Sequence, residues 1–241
     1  MLTLTIPLGS IYIIVTFFKN IINRIYSIFN KNKKKWYIIE GNIGCGKTTL
    51  VRNLKSLENV EVIEEPVAEW LKIKDENDEN ILGLFYKDTK RYAYLFQTIV
   101  FKSRLMSLDK PQEKSIRFSE RSIWTDKFIF AKNCYEMGAI NTIEKRTYDN
   151  WFDWLEHKMH SKPDGIIYLK ALPEICEARM KKRDRAEESS VSLDYLTKIH
   201  EKHEQWLNSG FSDYKGVPIY VIDNSYSPEE CYNKVKQLIN L

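Results

Sequence analysis

Between Gly41 and Thr49 the chain reads Gly-Asn-Ile-Gly-Cys-Gly-Lys-Thr-Thr. The spacing Gly41-x-x-x-x-Gly46-Lys47-Thr48 is that of a loop whose backbone N–H groups turn inward around phosphate oxygens, while the helix that follows offers its positive end to the same anion. Such a loop needs a strand before it and a helix after it. Trp36 to Glu40 reads as the strand, and a helical pattern runs on to about Leu57. Lys47 is then placed for the β- and γ-phosphates and the Thr48 hydroxyl for Mg²⁺. A glycine turn with a chance Lys-Thr pair is the plain alternative, and three elements in register count against it. The sequence has neither the NKxD and DxxG pair of a GTPase nor, at the end of the strand Ser115 to Glu120, the acidic pair of a motor-type ATPase.

Phosphoryl transfer asks for an in-line acceptor, a carboxylate near that acceptor's proton, and cations around the moving charge. Glu64 and Glu65 close a second apolar run, Val60 to Glu65, and Glu120-Arg121-Ser122 close a third. Both ends fall at the carboxyl edge of an α/β sheet, where ligands of such folds bind. Helical spacing places Ser122, Asp126 and Phe130 on one face, and Gln97 and Arg104 on one face of another helix. Arg179 and Arg183 share a helix face, with Arg185 just beyond. His200 and His203 invite a metalloprotease reading, but HExxH needs His where Glu204 stands, so that segment and His157 and His160 read as solvated surface.

The elements that must position these groups alternate. After the second strand come helical patterns at Glu79 to Tyr86, Lys90 to Leu108, Ile123 to about Met137 and Ile143 to His160. The strand Gly165 to Lys170 precedes a helix opening at Pro173, then a charged stretch, Lys181 to Ser190, and a helix from Leu193 to Leu207. The strand Val217 to Asp223 and a helix from Pro228 close the chain. Near-continuous apolar strands separated by helices predict an α/β fold, a parallel five-stranded sheet with helices on both faces.

Residues 1–35 hold six Lys or Arg and no acid, and from Trp36 onward acids outnumber bases by two. The body therefore lacks the broad basic face of a nucleic-acid binder. Cys45, Cys134, Cys176 and Cys231 form no CxxC pair, which points to a reducing compartment rather than to zinc or a disulfide framework. The stretch Met1 to Phe18 is uncharged but broken by Pro7 and Gly9. It reads as a weak membrane anchor whose basic flank stays cytosolic, with an atypical targeting leader or a segment without a role as alternatives. The expected division is a leader over 1–35 and a catalytic domain over 36–241.

From Trp36 to the C-terminus the chain resembles the deoxyribonucleoside kinases, the group of deoxycytidine, deoxyguanosine and mitochondrial thymidine kinases. The matching stretches run in family order: EGNIGCGKTT, EPVAEW, FYKD around Tyr86, LFQT, ERS followed by Asp126 and Ile129-Phe130, RDRAEE, and DYLTKIHEKHEQWL. The resemblance implies a P-loop kinase that moves the γ-phosphate of ATP to a deoxynucleoside 5′-hydroxyl in nucleotide salvage. ATP would be held by Gly41, Asn42, Ile43, Gly44, Cys45, Gly46, Lys47, Thr48 and Thr49, with Arg179, Arg183 and Arg185 as a lid. Glu65 would be the general base, Arg121 would contact phosphate and that carboxylate, and Glu120 would help Thr48 hold Mg²⁺. Tyr86 and Glu188 would bond the sugar 3′-hydroxyl; Trp70, Phe96 and Phe130 would wall the base, and Gln97, Arg104 and Asp126 would read its edge. The resemblance also implies a homodimer through the helices around 123–160. Location would be cytoplasmic, tethered at the N-terminus, or alternatively mitochondrial.

Gln97 offers one donor and one acceptor and cannot alone separate pyrimidines from purines. A buried Asp126 accepts from an exocyclic amino group, whereas thymine would set a carbonyl against it. That favours deoxycytidine and purine deoxynucleosides over thymidine, although Val100 is bulkier than the residue typical of deoxycytidine-selective members. A nucleoside monophosphate kinase of the thymidylate type and a non-catalytic nucleotide-binding protein are the competing readings.

Overall fold

A computed structural model describes residues 34–158, 162–208, 213–214, 216–225 and 227–239. The expectations for the leader, for His160 and for the end of its helix lie outside those residues. Five strands, β1 (Lys35–Glu40), β2 (Val60–Ile63), β3 (Ile116–Glu120), β4 (Gly165–Lys170) and β6 (Val217–Asp223), pair in parallel in the order β2-β3-β1-β4-β6. The two-residue strand β5 (Asp213–Tyr214), which periodicity is too short to reveal, adds antiparallel to the β6 edge.

Alternation along the strands divides the core into two layers. Trp36, Ile38, Ile166 and Tyr168 pack into one apolar cluster, and Tyr37, Ile39, Ile167 and Leu169 into the other. Both faces are therefore covered, as an all-parallel sheet requires. On one side lie α3 (Ile81–Lys87), α4 (Thr89–Leu108) and α7 (Thr142–Lys158). On the other lie α1 (Lys47–Lys55), α8 (Pro173–Arg183) and α10 (Pro228–Leu238). The helix α9 (Leu193–Leu207) contributes Leu207 to the first cluster and Leu196 to the second. A short helix, α2 (Val67–Trp70), absent from the sequence reading, follows Pro66. No helix among the described residues is long and apolar enough to cross a membrane.

Strand order reverses beside β1, so the loop after β1 opens at the crevice where ligands of open α/β sheets bind. This loop passes so close to its neighbours that glycine is obligatory. Gly44 has φ +77°, and a Cβ there would stand 2.3 Å from the Cys176 carbonyl oxygen.

The expected single helix from Ile123 is three pieces: α5 (Ile123–Thr125), a π-helical segment (Asp126–Ala131) and α6 (Lys132–Glu136). Ser122 does not share the face of Asp126 and Phe130. It caps α5, its hydroxyl accepting from the Thr125 N–H, and donates to the Glu40 carboxylate at 2.7 Å. The wide π turn keeps Ile129 and Ala131 in the core while Asp126 and Phe130 line the cleft. The segment from His200 to Glu204 is also not solvated throughout. His203 is buried, stacked 5.8 Å from Tyr168, with Nδ1 against the Ile199 carbonyl, because that side of α9 faces the sheet. His157 is exposed, as expected.

Glu40, fully buried at the end of β1, fastens this strand to α5. One carboxylate oxygen accepts from both Ser122 and Thr125 hydroxyls, and the other has no partner among the described residues. Burial pushes its pKa from 4.5 up to about 7 against the pull of Thr125, Ser122, Arg121 and Arg104. Between those values the native state keeps a proton that the unfolded chain has lost. The stabilisation is complete below 4.5 and disappears as pH climbs through 7, a swing of about 3 kcal/mol. Urea midpoints measured from about pH 5 to about pH 8 should fall with rising pH, and Glu40→Gln should flatten that fall. Parallel curves for the two proteins would contradict the assignment.

Candidate active site

The loop, the ends of β2, β3 and β6, and one face of α4 enclose a cleft of about 680 Å³, the size of a ligand site. At one end, Lys47 donates to the carbonyls of Gly41 at 3.0 Å and Asn42 at 2.7 Å. Thr48 Oγ1 donates to Glu120 Oε1 at 2.8 Å, so a hydroxyl from the first turn of α1 and a carboxylate from the end of β3 stand side by side. Ile43, Gly44, Gly46 and Thr49 line the same end. Gly41, Asn42 and Cys45 do not line it: the Asn42 amide is turned onto the Leu196 carbonyl at 2.9 Å and Cys45 is buried in the core.

The far end is aromatic. Trp70 meets Phe96 edge-on at 5.5 Å, and Phe85 stacks on Phe96 at 4.7 Å. Trp70 Nε1 is fixed by Ser103 Oγ at 2.9 Å. Phe96, Gln97, Val100 and Arg104 all reach the cleft from α4, as helical spacing requires. Gln97 is buried with its Oε1 lacking a partner among the described residues, an acceptor aimed where a ligand donor is wanted. Phe130 lines the wall and lies beneath the Arg121 guanidinium, 4.8 Å from its ring centre.

Between the two ends sits a buried cluster of charge. Arg104 Nε and Nη2 grip Asp126 at 2.9 and 3.1 Å, Nη1 bonds the Glu120 carbonyl at 2.9 Å, and Nη2 also reaches Glu65 Oε1 at 3.0 Å. Arg121 Nε pairs with the same Glu65 oxygen at 3.2 Å. Its backbone is left-handed at φ +65°, its N–H bonds the Ile39 carbonyl at 2.9 Å, and Nη1 bonds the Gly41 carbonyl at 2.9 Å. A non-glycine residue in that conformation persists only where its surroundings hold it. Burial alone would raise the Glu65 pKa, but Arg121, Arg104 and Lys47 outweigh it and the carboxyl lies below its ordinary 4.5. Burial pushes the Asp126 carboxyl up, against the pull of Arg104. Glu64, also on the cleft lining but more exposed, pairs instead with Lys55 at 3.3 Å.

Tyr86 and Glu188 both line the cleft, and burial followed by the Glu188 charge raises the Tyr86 phenol. Glu188 is held from each side by Arg183 and by Arg185, the latter at 2.7 Å. Arg179 points to the loop instead, donating to the carbonyls of Asn224 at 2.9 Å and Cys45 at 3.4 Å. Phe85, Leu82, Tyr195 and Asn224 are among the lining residues that escaped the sequence reading. Tyr195 belongs to the quoted stretch DYLTKIHEKHEQWL, and its hydroxyl is buried without a partner among the described residues. Asn224 follows β6 at the sheet's carboxyl edge, a position that could have marked it. The two core positions, Leu82 and Phe85, carry no such signal.

Two comparisons bear on this geometry. The profile of the deoxynucleoside kinase family matches residues 37–240. Deoxycytidine kinase 2 of Gallus gallus is 39% identical over 224 residues, covering 82% of this chain and 84% of that protein. Human mitochondrial thymidine kinase 2 is 37% identical over 207 residues, 86% of this chain and 77% of its own. Human deoxycytidine kinase is 38% identical over 233 residues, 84% and 90% respectively. A phosphate loop, a buried carboxylate between two arginines and an aromatic chamber thus occur in a chain whose matched length is nearly the whole sheet, and the chain belongs to the deoxynucleoside kinase family.

Proposed function

We propose that this enzyme transfers the γ-phosphoryl group of ATP to the 5′-hydroxyl of a deoxyribonucleoside for nucleotide salvage, with deoxycytidine and purine deoxynucleosides preferred to thymidine. The observation that carries the reading is the charge balance of the aromatic end. Its cations, Arg104 and Arg121, are engaged by Asp126 and Glu65, which leaves an uncharged nucleoside, not a nucleoside monophosphate, as the fitting occupant. A monophosphate kinase would need a further cation there for the acceptor's own phosphate.

Glu65, low in pKa and one-fifth exposed, stays ionised at neutral pH and can take the 5′-hydroxyl proton as the bond to phosphorus forms. Lys47 would exchange its loop carbonyls for phosphate oxygens, and Arg121 would stabilise charge on the phosphoryl group in flight. The lid role of Arg179, Arg183 and Arg185 is supported by their place on the cleft wall and by the position of Arg183 and Arg185 at and just beyond the end of α8. Hard oxygens of Thr48 and Glu120 fit Mg²⁺, which uses one or two protein ligands with the nucleotide phosphates and, when bound, neutralises developing charge. Tyr86 with Glu188 suits a sugar hydroxyl, Trp70, Phe96 and Phe130 suit the base faces, and Gln97 and Asp126 suit its edge.

The exposed face of α7, with Ile143 at 69% and Trp151 and Trp154 each at 55%, supports the homodimer. We retain residues 1–35 as a weak anchor on a cytosolic membrane face, a mitochondrial destination being the alternative. Sedimentation at micromolar concentration should give a two-chain mass, and charged substitutions at Trp151 and Trp154 should halve it; a wild-type monomer would refute the dimer.

A panel of the four deoxynucleosides and their monophosphates, offered with Mg-ATP to the full chain, tests the reaction class. Deoxycytidine or a purine deoxynucleoside should react at the 5′ position, and turnover confined to monophosphates would refute the proposal. Glu65→Gln should lower kcat by about 10²- to 10⁴-fold with little change in KM. An unchanged rate would remove Glu65 as the base. Arg104→Met combined with Asp126→Ala should raise the ratio of thymidine to deoxycytidine kcat/KM by at least about tenfold, and a constant ratio would undo the selectivity argument.

A further inference from the structure

The two oxygens of Glu65 are in unequal surroundings. Oε1 accepts from Arg104 at 3.0 Å and pairs with Arg121 at 3.2 Å, whereas no described residue hydrogen-bonds Oε2. The arginines thus fix the carboxylate by one oxygen and leave the other as the basic atom. Of the two, Arg121 is tied to the backbone at Ile39 and Gly41. Arg104 is tied to Asp126, whose two carboxylate oxygens are both bonded to it. A base amino group that engages Asp126 must therefore share that carboxylate with the guanidinium holding Glu65. Lys47, Tyr86 and Asp126 are further titratable groups that act on Glu65, and none of them hydrogen-bonds it.

We infer that Arg104 is a positioning residue for the general base as well as a reader of the base edge: its guanidinium transmits nucleobase engagement at Asp126 to the orientation of the free oxygen of Glu65. A nucleoside that leaves Asp126 unengaged is then turned over slowly even when bound, so selectivity appears in kcat and not only in KM. This inference rests on Glu65 acting as the base. The bond that forms is from the 5′-oxygen to phosphorus, the bond that breaks joins the γ-phosphorus to its bridging oxygen, and the proton passes to Glu65 Oε2.

A double-mutant cycle on the full chain, read as kcat and KM for deoxycytidine, separates the two roles. Arg104→Met should lower kcat by about ten- to a hundredfold in the wild-type background, the cost of a misplaced base, and also raise KM. In the Glu65→Gln background the same change should raise KM by a similar factor but leave kcat within about twofold, since the group that Arg104 positions is already inactive. A kcat loss of similar size in both backgrounds, or an effect confined to KM, overturns the inference. If Glu65→Gln by itself leaves kcat intact, the proposed base fails before the cycle is read, so the two failures are distinct. Because Arg104→Met strands the Asp126 charge, Arg104→Lys is run in parallel. It keeps a cation but loses the planar fork, and should lose kcat with a melting temperature close to wild type; full wild-type kcat in that variant also counts against the inference.

Discussion

The sharing of one Glu65 oxygen between Arg104 and Arg121 is the contact on which the site depends. A carboxylate buried alone would shed its charge, because desolvation favours the neutral acid. Two guanidinium groups within about 3 Å reverse this and hold the pKa of Glu65 below 4.5. The same contact is one-sided, since both cations engage Oε1 and no described residue hydrogen-bonds the other oxygen. Breaking either pair leaves an uncompensated buried charge, a costlier event than losing a surface bridge.

The surrounding fold supplies fixed points for those arginines. Arg121 sits where β3 ends and α5 begins, its N–H on the neighbouring strand and its side chain on both the phosphate loop and Glu65, so two parts of the cleft share one residue. Arg104 projects from near the C-terminal end of the long helix α4 and meets Asp126 on the first turn of a π-helical segment. Ser122, Thr125 and Glu40 lock that segment to β1. Every member of the charge cluster is thereby referred to the central strands. The aromatic groups complete a chamber of low dielectric, where each polar contact counts for more than it would in water.

The placement of Asp126 shows how a local irregularity serves a global arrangement. A π turn has an extra residue per turn and re-aims the side chains that follow. Here it brings Asp126 and Phe130 to the cleft while Ile129 stays inside. Arg183 and Arg185 illustrate the converse. They face Glu188, so the end of α8 and the short 3₁₀ segment Ala186–Glu188 are joined before any ligand is considered.

Much of this was legible in the amino-acid order. The phosphate loop, five parallel strands and the α4 face from Gln97 to Arg104 all follow from local rules: glycine conformational freedom and side-chain period. Family resemblance added the residues to which roles are assigned. What local rules could not reach was long-range. Glu40 read as a strand end, and only the packing of β1 against α5 shows it buried on Ser122 and Thr125, 82 and 85 positions away. His203 read as solvated surface and Ser122 as sharing a helix face with Asp126 and Phe130, and the tertiary structure buried both elsewhere. The sequence by itself determined which chemistry the chain carries, because that depends on residue types at short spacings. The tertiary structure alone decided which oxygen of Glu65 is free, because that depends on where two arginines, 39 and 56 residues further along the chain, come to rest.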